Sequence, residues 1–324
     1  MINFTLTESR TYRIVIRKAK KEIFHNIMKR VFTYIASPET SGITIEQFLR
    51  RKGYSRHILT HLKQTENGIC KNGIWAYANQ RMKPGDCLTV TLLEEKSSEN
   101  IVPVPMPLSI VYEDADLMIL NKPADTPIHP SVNNYENTLA NGISWYFYAQ
   151  GIPFVYRCIN RLDRDTTGLL ILAKHMYSAA LLSKMAANRE IHREYLAIAS
   201  GLLPVSGVID APISRKNGSA IERCVDFSCG EQAITHFQRE AFKDDCSLVR
   251  LKLETGRTHQ IRVHMKYLGH PLIGDFLYCA DYPEQQKRMQ RQALHSHHLQ
   301  FLHPITGKEM SFTAPLPPDM EWIL

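Results

Sequence analysis

Asn160-Arg161-Leu162-Asp163-Arg164-Asp165-Thr166-Thr167-Gly168 runs straight into Leu169-Leu170-Ile171-Leu172-Ala173. A crowded polar loop meets a wholly apolar segment bounded by Gly168 and Lys174, and such a segment reads as a strand buried on both faces. The loop then sits at the rim of a packed core, with its backbone held and its tip open, a place where function concentrates. Asp163 lies between Arg161 and Arg164, and nearby cations favour the charged form of a carboxylate. Two readings follow: an ionised nucleophile or base, or a structural ion pair that caps the loop.

Length and composition narrow the setting. A chain of 324 residues buries a large core and is expected to form more than one domain. Its hydrophobic share of 44% and charged share of 22% are those of a soluble globular protein. No apolar run has the length of a membrane span, and the first residues lack the layout of a secretion signal. Seven cysteines without a Cys-x-x-Cys pair point to a reducing compartment, hence the cytoplasm. The net charge of +7 is uneven: residues 1–64 carry 13 Lys and Arg against 4 Asp and Glu, and the rest carry 26 against 28. A basic front on a near-neutral body predicts an anionic partner, nucleic acid first.

Along the chain, Ile23, Phe24, Ile27, Met28, Val31, Phe32 and Ile35 recur at helical spacing among lysines, so 12–35 is expected as a basic amphipathic helix. Packing of its stripe on the protein itself is preferred to a membrane surface or a partner. Thr44-Ile-Glu-Gln47 has capping-box spacing and opens a helix to Gly53; Ser55 caps a second. Strands are expected at 69–71, 75–77 and 87–92, with turns at Asn72-Gly73 and Pro84-Gly85. The charged run 94–100 and Pro103, Pro105 and Pro107 predict a linker. The domain division is 1–95, a linker at 96–107, and a body at 108–324. In the body, strand and helix signals mix without strict alternation, giving an α+β fold. A strand is expected at 117–120, a helix at 176–187, an alternating strand at 249–254, and a helix capped by Thr258 and ended by Gly269.

Arg161-Leu162-Asp163 with Thr166, Gly168, Leu169 and Leu170 resembles the signature of the RluA-type pseudouridine synthases. Further matching stretches follow in order: Asn121-Lys122-Pro123-Ala124 with His129-Pro130; Arg193-Glu194-Tyr195-Leu196-Ala197 with Gly201; Thr255 to His264; and Leu294-His295 through His303-Pro304 to Pro317. The likeness covers about residues 108–319. It implies a mixed, mainly antiparallel α+β catalytic domain that isomerises uridine in RNA. Asp163 is then the catalytic nucleophile, Arg262 pairs with it, and Tyr195 stacks on the target base and helps move its proton. Arg161 holds the RNA, and Asn121 and Lys122 border the pocket. The front resembles, more loosely, an S-four-like RNA-binding domain, with Arg50, Arg51, Lys52, Arg56 and Lys63 on phosphates.

This reading implies no cofactor, since moving a bond from nitrogen to carbon needs no redox group. No metal is expected either. His295, His297 and His298 lie along a strand without a carboxylate or thiol at ligand spacing, and Cys224 and Cys229 read as plain thiols. The expected partner is structured RNA, ribosomal first and transfer RNA second, with no membrane, no protein partner and a monomeric state. Two other classes remain: a non-catalytic RNA-binding factor that keeps the fold, and a glycosidase needing a second acid, for which Asp165 is the candidate. Asn160 where a His is common, Thr167 for Ser, and Asp125-Thr126 for Gly-Leu depart from the pattern.

Overall fold

A computed structural model describes residues 27–281, 284 and 286–321. By backbone contacts it divides into two units. The first takes the described residues up to Met106, with Ala140–Tyr156 and Lys174–Ala180; the second takes Pro107–Leu139, Arg157–Ala173 and the chain from Leu181. The linear division at 96–107 read from the sequence therefore differs from this grouping.

The first unit opens on a strand, β1 (Met28–Ile35), where a helix was expected; the remainder of that helix, up to residue 26, lies outside the described residues. Met28, Phe32 and Ile35 satisfy a helical repeat, but Met28, Arg30, Phe32 and Tyr34 satisfy an alternating one, and the alternating one wins. Tyr34 turns inward to bond the Tyr54 hydroxyl at 2.9 Å, leaving Ile35 66% exposed. Val31, Thr33 and Ile35 are also β-branched, which favours a pleated strand.

Helix α1 (Ile45–Arg51) begins at the expected capping box: Thr44 Oγ1 accepts from the Gln47 amide, and Gln47 Oε1 accepts from the Thr44 amide. Helix α2 (Arg56–Gln64) is capped by Ser55. Strands β2 (Ile69–Lys71), β3 (Ile74–Trp75) and β4 (Cys87–Glu94) complete an antiparallel sheet in the order β1-β4-β2-β3. The 96–107 stretch is extended but not free of contacts. Ser97 and Ser98 hydroxyls accept from the Phe154 and Tyr156 amides, and Asn141 Nδ2 donates to the Val102 carbonyl. Tyr177 stacks on Tyr54 at 3.9 Å and donates to the Lys52 carbonyl, which ties 174–180 to the same unit.

The second unit is built on one sheet. Its strands are β5 (Ile110–Glu113), β6 (Leu117–Lys122), β7 (Thr167–Ala173), β8 (His192–Ser200), β9 (Ser206–Asp210), β12 (Ile234–Lys243), β13 (Cys246–Leu253), β14 (Leu294–Leu302) and β15 (Glu309–Thr313); β10 (Ile213–Arg215) and β11 (Arg223–Val225) pair apart. The order is β5-β6-β7-β14-β8-β13-β12-β9, with β15 on β14. Every pairing is antiparallel except β7 with β14. Of the helices, nearly all of α3 (Leu139–Tyr148) and the start of α4 (Met176–Ala187) fall in the first unit, and the rest of α4, α5 (Gln260–Tyr267) and α6 (Pro318–Glu321) in the second, giving an α+β fold.

All seven residues of β7 are buried. Its four large aliphatics each contribute roughly 1.5–3 kcal/mol through burial, so the strand is a rigid floor beneath the loop that precedes it. Gly168 sets its entry. The residue has φ +107°, and a Cβ there would stand 2.2 Å from the Ser296 carbonyl oxygen on β14. Only glycine permits both that backbone and that approach.

Gly168→Ala should therefore cost about 2 kcal/mol or more and lower the thermal midpoint by at least about 4 °C. An unchanged midpoint in calorimetry would mean the two strands separate at no cost.

Candidate active site

The loop before β7 is shaped by its own turn. The Thr166 amide donates to the Asp163 carbonyl at 3.1 Å, and Leu162 is buried beneath. This presents the Asp163 carboxylate half-buried, at 27% exposure. Asn160, where the family pattern has a His, braces the start of β7: its Oδ1 accepts from the Ile171 amide at 2.8 Å and its Nδ2 reaches the Leu169 carbonyl.

Arg262, on α5, donates through Nη1 to Asp163 Oδ2 at 2.9 Å. Its Nε and Nη2 fork onto Asp275 at 2.7 and 2.8 Å. Burial works against the guanidinium charge, but the Asp275 and Asp163 carboxylates more than offset it and hold the group above its ordinary value. The plane lies 5.0 Å over the Tyr278 ring, so Arg262 has little freedom to turn. The counter-charge of Asp163 thus comes from 99 positions away. Its sequence neighbour Arg164 does not supply it, because Arg164 pairs with Asp125 of the proline loop. That pairing gives the unusual Asp125 a purpose: it ties the two loops together.

The helix carrying Arg262 does not start as expected. Thr258 is not its cap; the N-cap is His259, in the left-handed region at φ +58° and without a side-chain cap. The Gln260 side chain instead ties down the turn before the helix, accepting from the Arg257 amide and the Thr255 hydroxyl. His259 Nε2 stands 3.9 Å from Asp163 Oδ2, and its Nδ1 lies 2.7 Å from the Tyr278 hydroxyl. That hydroxyl already accepts from the Arg223 amide, so its own proton is available to Nδ1 and the imidazole proton then faces Asp163. Burial lowers the His259 pKa despite the nearby Asp163, keeping the ring neutral.

These groups border a cavity of about 470 Å3 that also takes in Arg161, Arg193 and Tyr195. Asp163, Arg262, Tyr195 and Arg161 are thus brought together, with Tyr195 only 4% exposed in the middle of β8. Asn121 and Lys122 are not on the cavity wall. Lys122 lies behind the loop, 1% exposed, and its ammonium donates to the carbonyls of Pro123, Thr126 and Arg164. Burial pushes its pKa down to about 7 against the pull of Asp165 and Asp163. It fastens the two loops and touches nothing in the cavity. The signature stretches point to Arg161, Asp163, Tyr195 and Arg262; Asp275 and Tyr278 carry no local signal, and His259 is hidden within a quoted motif.

Arg50, Arg51, Lys52, Arg56 and Lys63 all lie exposed in the first unit. Arg50 and Lys63 converge on Glu46, and the Lys52 ammonium sits over the Tyr34 and Phe48 rings.

Two groups of residues have the element types of a metal site. His295 Nδ1 pairs with the Thr167 hydroxyl at 2.8 Å and its Nε2 reaches the Ala314 carbonyl, which His297 Nδ1 also approaches. Asp114, Asp116 and His303 also lie within ligand distance of one another. There His303 Nδ1 accepts from the Ile305 and Thr306 amides, so the proton sits on Nε2 and is donated to Asp114 at 2.8 Å. With both nitrogens engaged, the cluster works as a lock between two turns.

The cavity thus has a single carboxylate on its wall, held by a buried arginine. Residues 116–267 match the family profile described as RNA pseudouridylate synthase. The "Uncharacterized RNA pseudouridine synthase YjbO" of Bacillus subtilis is 40% identical over 87% of this chain and 98% of its own. The ribosomal large subunit pseudouridine synthase D of Zymomonas mobilis is 39% identical over 74% of this chain and 79% of its own. Among solved structures, human RNA pseudouridylate synthase domain containing 1 aligns with a TM-score of 0.56 at 27% identity, covering 67% of this chain and 87% of that one. The chain belongs to the RNA pseudouridylate synthase family, and it is an RNA pseudouridine synthase.

His295 supplies a pH test of the site's foundation. Burial lowers its pKa from 6.5 to about 4. Between those values the unfolded chain takes up a proton that the folded chain refuses, so stability should fall as pH drops through that window. The loss is about 3 kcal/mol. Chemical denaturation of His295→Gln across pH 4–7 should give a flatter profile than the parent; parallel profiles would contradict this account.

Proposed function

We propose that this enzyme isomerises uridines of structured RNA, ribosomal RNA first, with Asp163 as the nucleophile. The observation that carries the reading is the bond from Arg262 Nη1 to Asp163 at the mouth of a cavity that also holds Tyr195. The base must leave its stack to enter, which costs a few kcal/mol and favours unpaired targets. Arg161 lies exposed on the wall, with no ion pair among the described residues, and is suited to hold the backbone once the base is inside. Asp163 bonds the sugar carbon C1′ as the bond from C1′ to N1 of uracil breaks. The base turns, C5 bonds C1′ as the bond to Asp163 breaks, and the C5 proton, removed with help from Tyr195, is matched by one taken up at N1. No atom is gained or lost overall. Enclosure matters because water would hydrolyse a cleaved intermediate.

Ribosomal RNA is the first substrate because relatives such as the enzyme of Zymomonas mobilis are named for the large ribosomal subunit; transfer RNA is second. The front, 1–95, is proposed as the S-four-like RNA-binding part, with Arg50, Arg51, Lys52, Arg56 and Lys63 on phosphates, and the cytoplasm as the compartment. Among the described residues no helix is long and apolar enough to cross a membrane. A glycosidase would need a second acid at the cavity. Asp165 instead accepts from the Asp125 amide, and Asp275 is fully buried under the Arg262 fork.

Asp163→Asn should abolish pseudouridine formation in a purified assay, with RNA affinity kept within a few-fold, because the amide keeps the shape and loses the charge. Measurable turnover in that protein would sink the mechanism. Deleting the front would strip the Tyr54–Tyr177 stack, so the phosphate role is better tested by substitution. Arg51→Ala with Arg56→Ala should flatten the slope of log affinity against log salt by about 1.4–1.8; an unchanged slope would remove these two from the interface.

A further inference from the structure

The two-residue turn Asn72-Gly73, with φ of 53° and 81°, folds β2 against β3 as a tight hairpin. Strand β3 is the edge of its sheet. On and just after it, Ile74 is 74% exposed, Trp75 54% and Tyr77 78%. Three large apolar side chains in four positions form a surface that water does not favour. Beside them is a cavity of about 290 Å3 lined by Trp75, Tyr77, Ala76, Lys63 and Glu46. No aromatic ring or cation among the described residues is seated on either aromatic ring.

Charge decides between occupants. Residues 27–93 carry ten Lys and Arg against four Asp and Glu, a net +6. A second copy meeting this face through its own would bring like charge to like charge. Exposed aromatic faces beside cations are instead what a single-stranded nucleic acid needs: bases stack on the rings while the backbone follows the positive charge. On the cavity wall, Glu46 is held between Lys63 at 2.8 Å and Arg50 at 2.9 Å. These two cations outnumber the one carboxylate, so a phosphate is still attracted, and the carboxylate is placed to accept from an N–H on a base edge.

We propose that this cavity binds an unpaired base of RNA, stacked on Trp75 and Tyr77, with its phosphate beside Lys63 and Arg50. The site is separate from the cavity that holds Asp163 and rests on the reading of the protein as RNA-acting. It selects for RNA with an unpaired stretch and contributes affinity without chemistry.

The test uses the full chain carrying Asp163→Asn, so that its outcome does not depend on the assignment of the nucleophile. Binding of a 12-mer single-stranded RNA and of a blunt duplex of the same sequence is followed by fluorescence anisotropy. Trp75→Ala and Tyr77→Ala should each weaken the single strand by about five- to hundredfold, leave the duplex unchanged, and leave the salt slope as it was. Trp75→Phe, which keeps a ring face, should restore most of the affinity. Equal weakening of strand and duplex, or no weakening, overturns the proposal. So does sedimentation showing that the parent is a dimer and Trp75→Ala a monomer, since the patch would then be a protein contact. If Trp75→Ala fails to fold, Tyr77→Ala, at the most exposed of these positions, carries the same comparison.

Discussion

A guanidinium taken out of water must be neutralised where it lies, and the neutralisation of Arg262 organises the catalytic unit. Asp275, fully buried, takes two of its N–H groups, and Asp163 takes a third. Removing one partner of such a buried set costs about 3–5 kcal/mol, because a charge is stranded. The arrangement has a direction. Asp275 satisfies the arginine permanently, while Asp163, still 27% exposed, remains open to the cavity. The arginine can therefore hold Asp163 in place without consuming it.

Around that triplet the protein spends backbone rather than side-chain flexibility. Lys122 gathers three carbonyls from two loops, and Arg164 and Asp125 join the same loops from outside. Asn160 accepts from the Ile171 amide of β7, and Gln260 from the Arg257 amide in the turn before α5. The departures at Asn160 and Asp125 are accommodated because each position needs a hydrogen-bonding role, not one residue type.

The catalytic unit was legible to the extent that local pattern records it. The apolar run 169–173 announced a buried strand, and the alternation at 249–253 announced β13. Motifs in order named the family and four of the groups that meet at the cavity. What local pattern does not record was missed or misread. Local charge alone points to Arg161 and Arg164 as the partners of Asp163; the pairing with Arg262, 99 positions on, is visible only through the resemblance. Thr258 looked like a cap, but a distant claim on Gln260 by Ile234 and Thr235 shifts the helix start. At 28–35 two periodicities fitted the same residues, and only pairing with β4, remote in sequence, selects the strand.

The one parallel pairing in the large sheet joins residues 167–168 to 295–296. Gln292 and Arg291 from the same late segment bond the Thr166 hydroxyl and the Asp165 carbonyl in the turn that carries Asp163. During synthesis, the loop bearing Asp163 emerges more than a hundred residues before the strand that seats it. A nascent chain that has already made every signature residue up to His264 still lacks the support beneath Asp163. Non-local closure of this kind is slow, and the turn that carries Asp163 cannot be seated before residues 291–296 have been made.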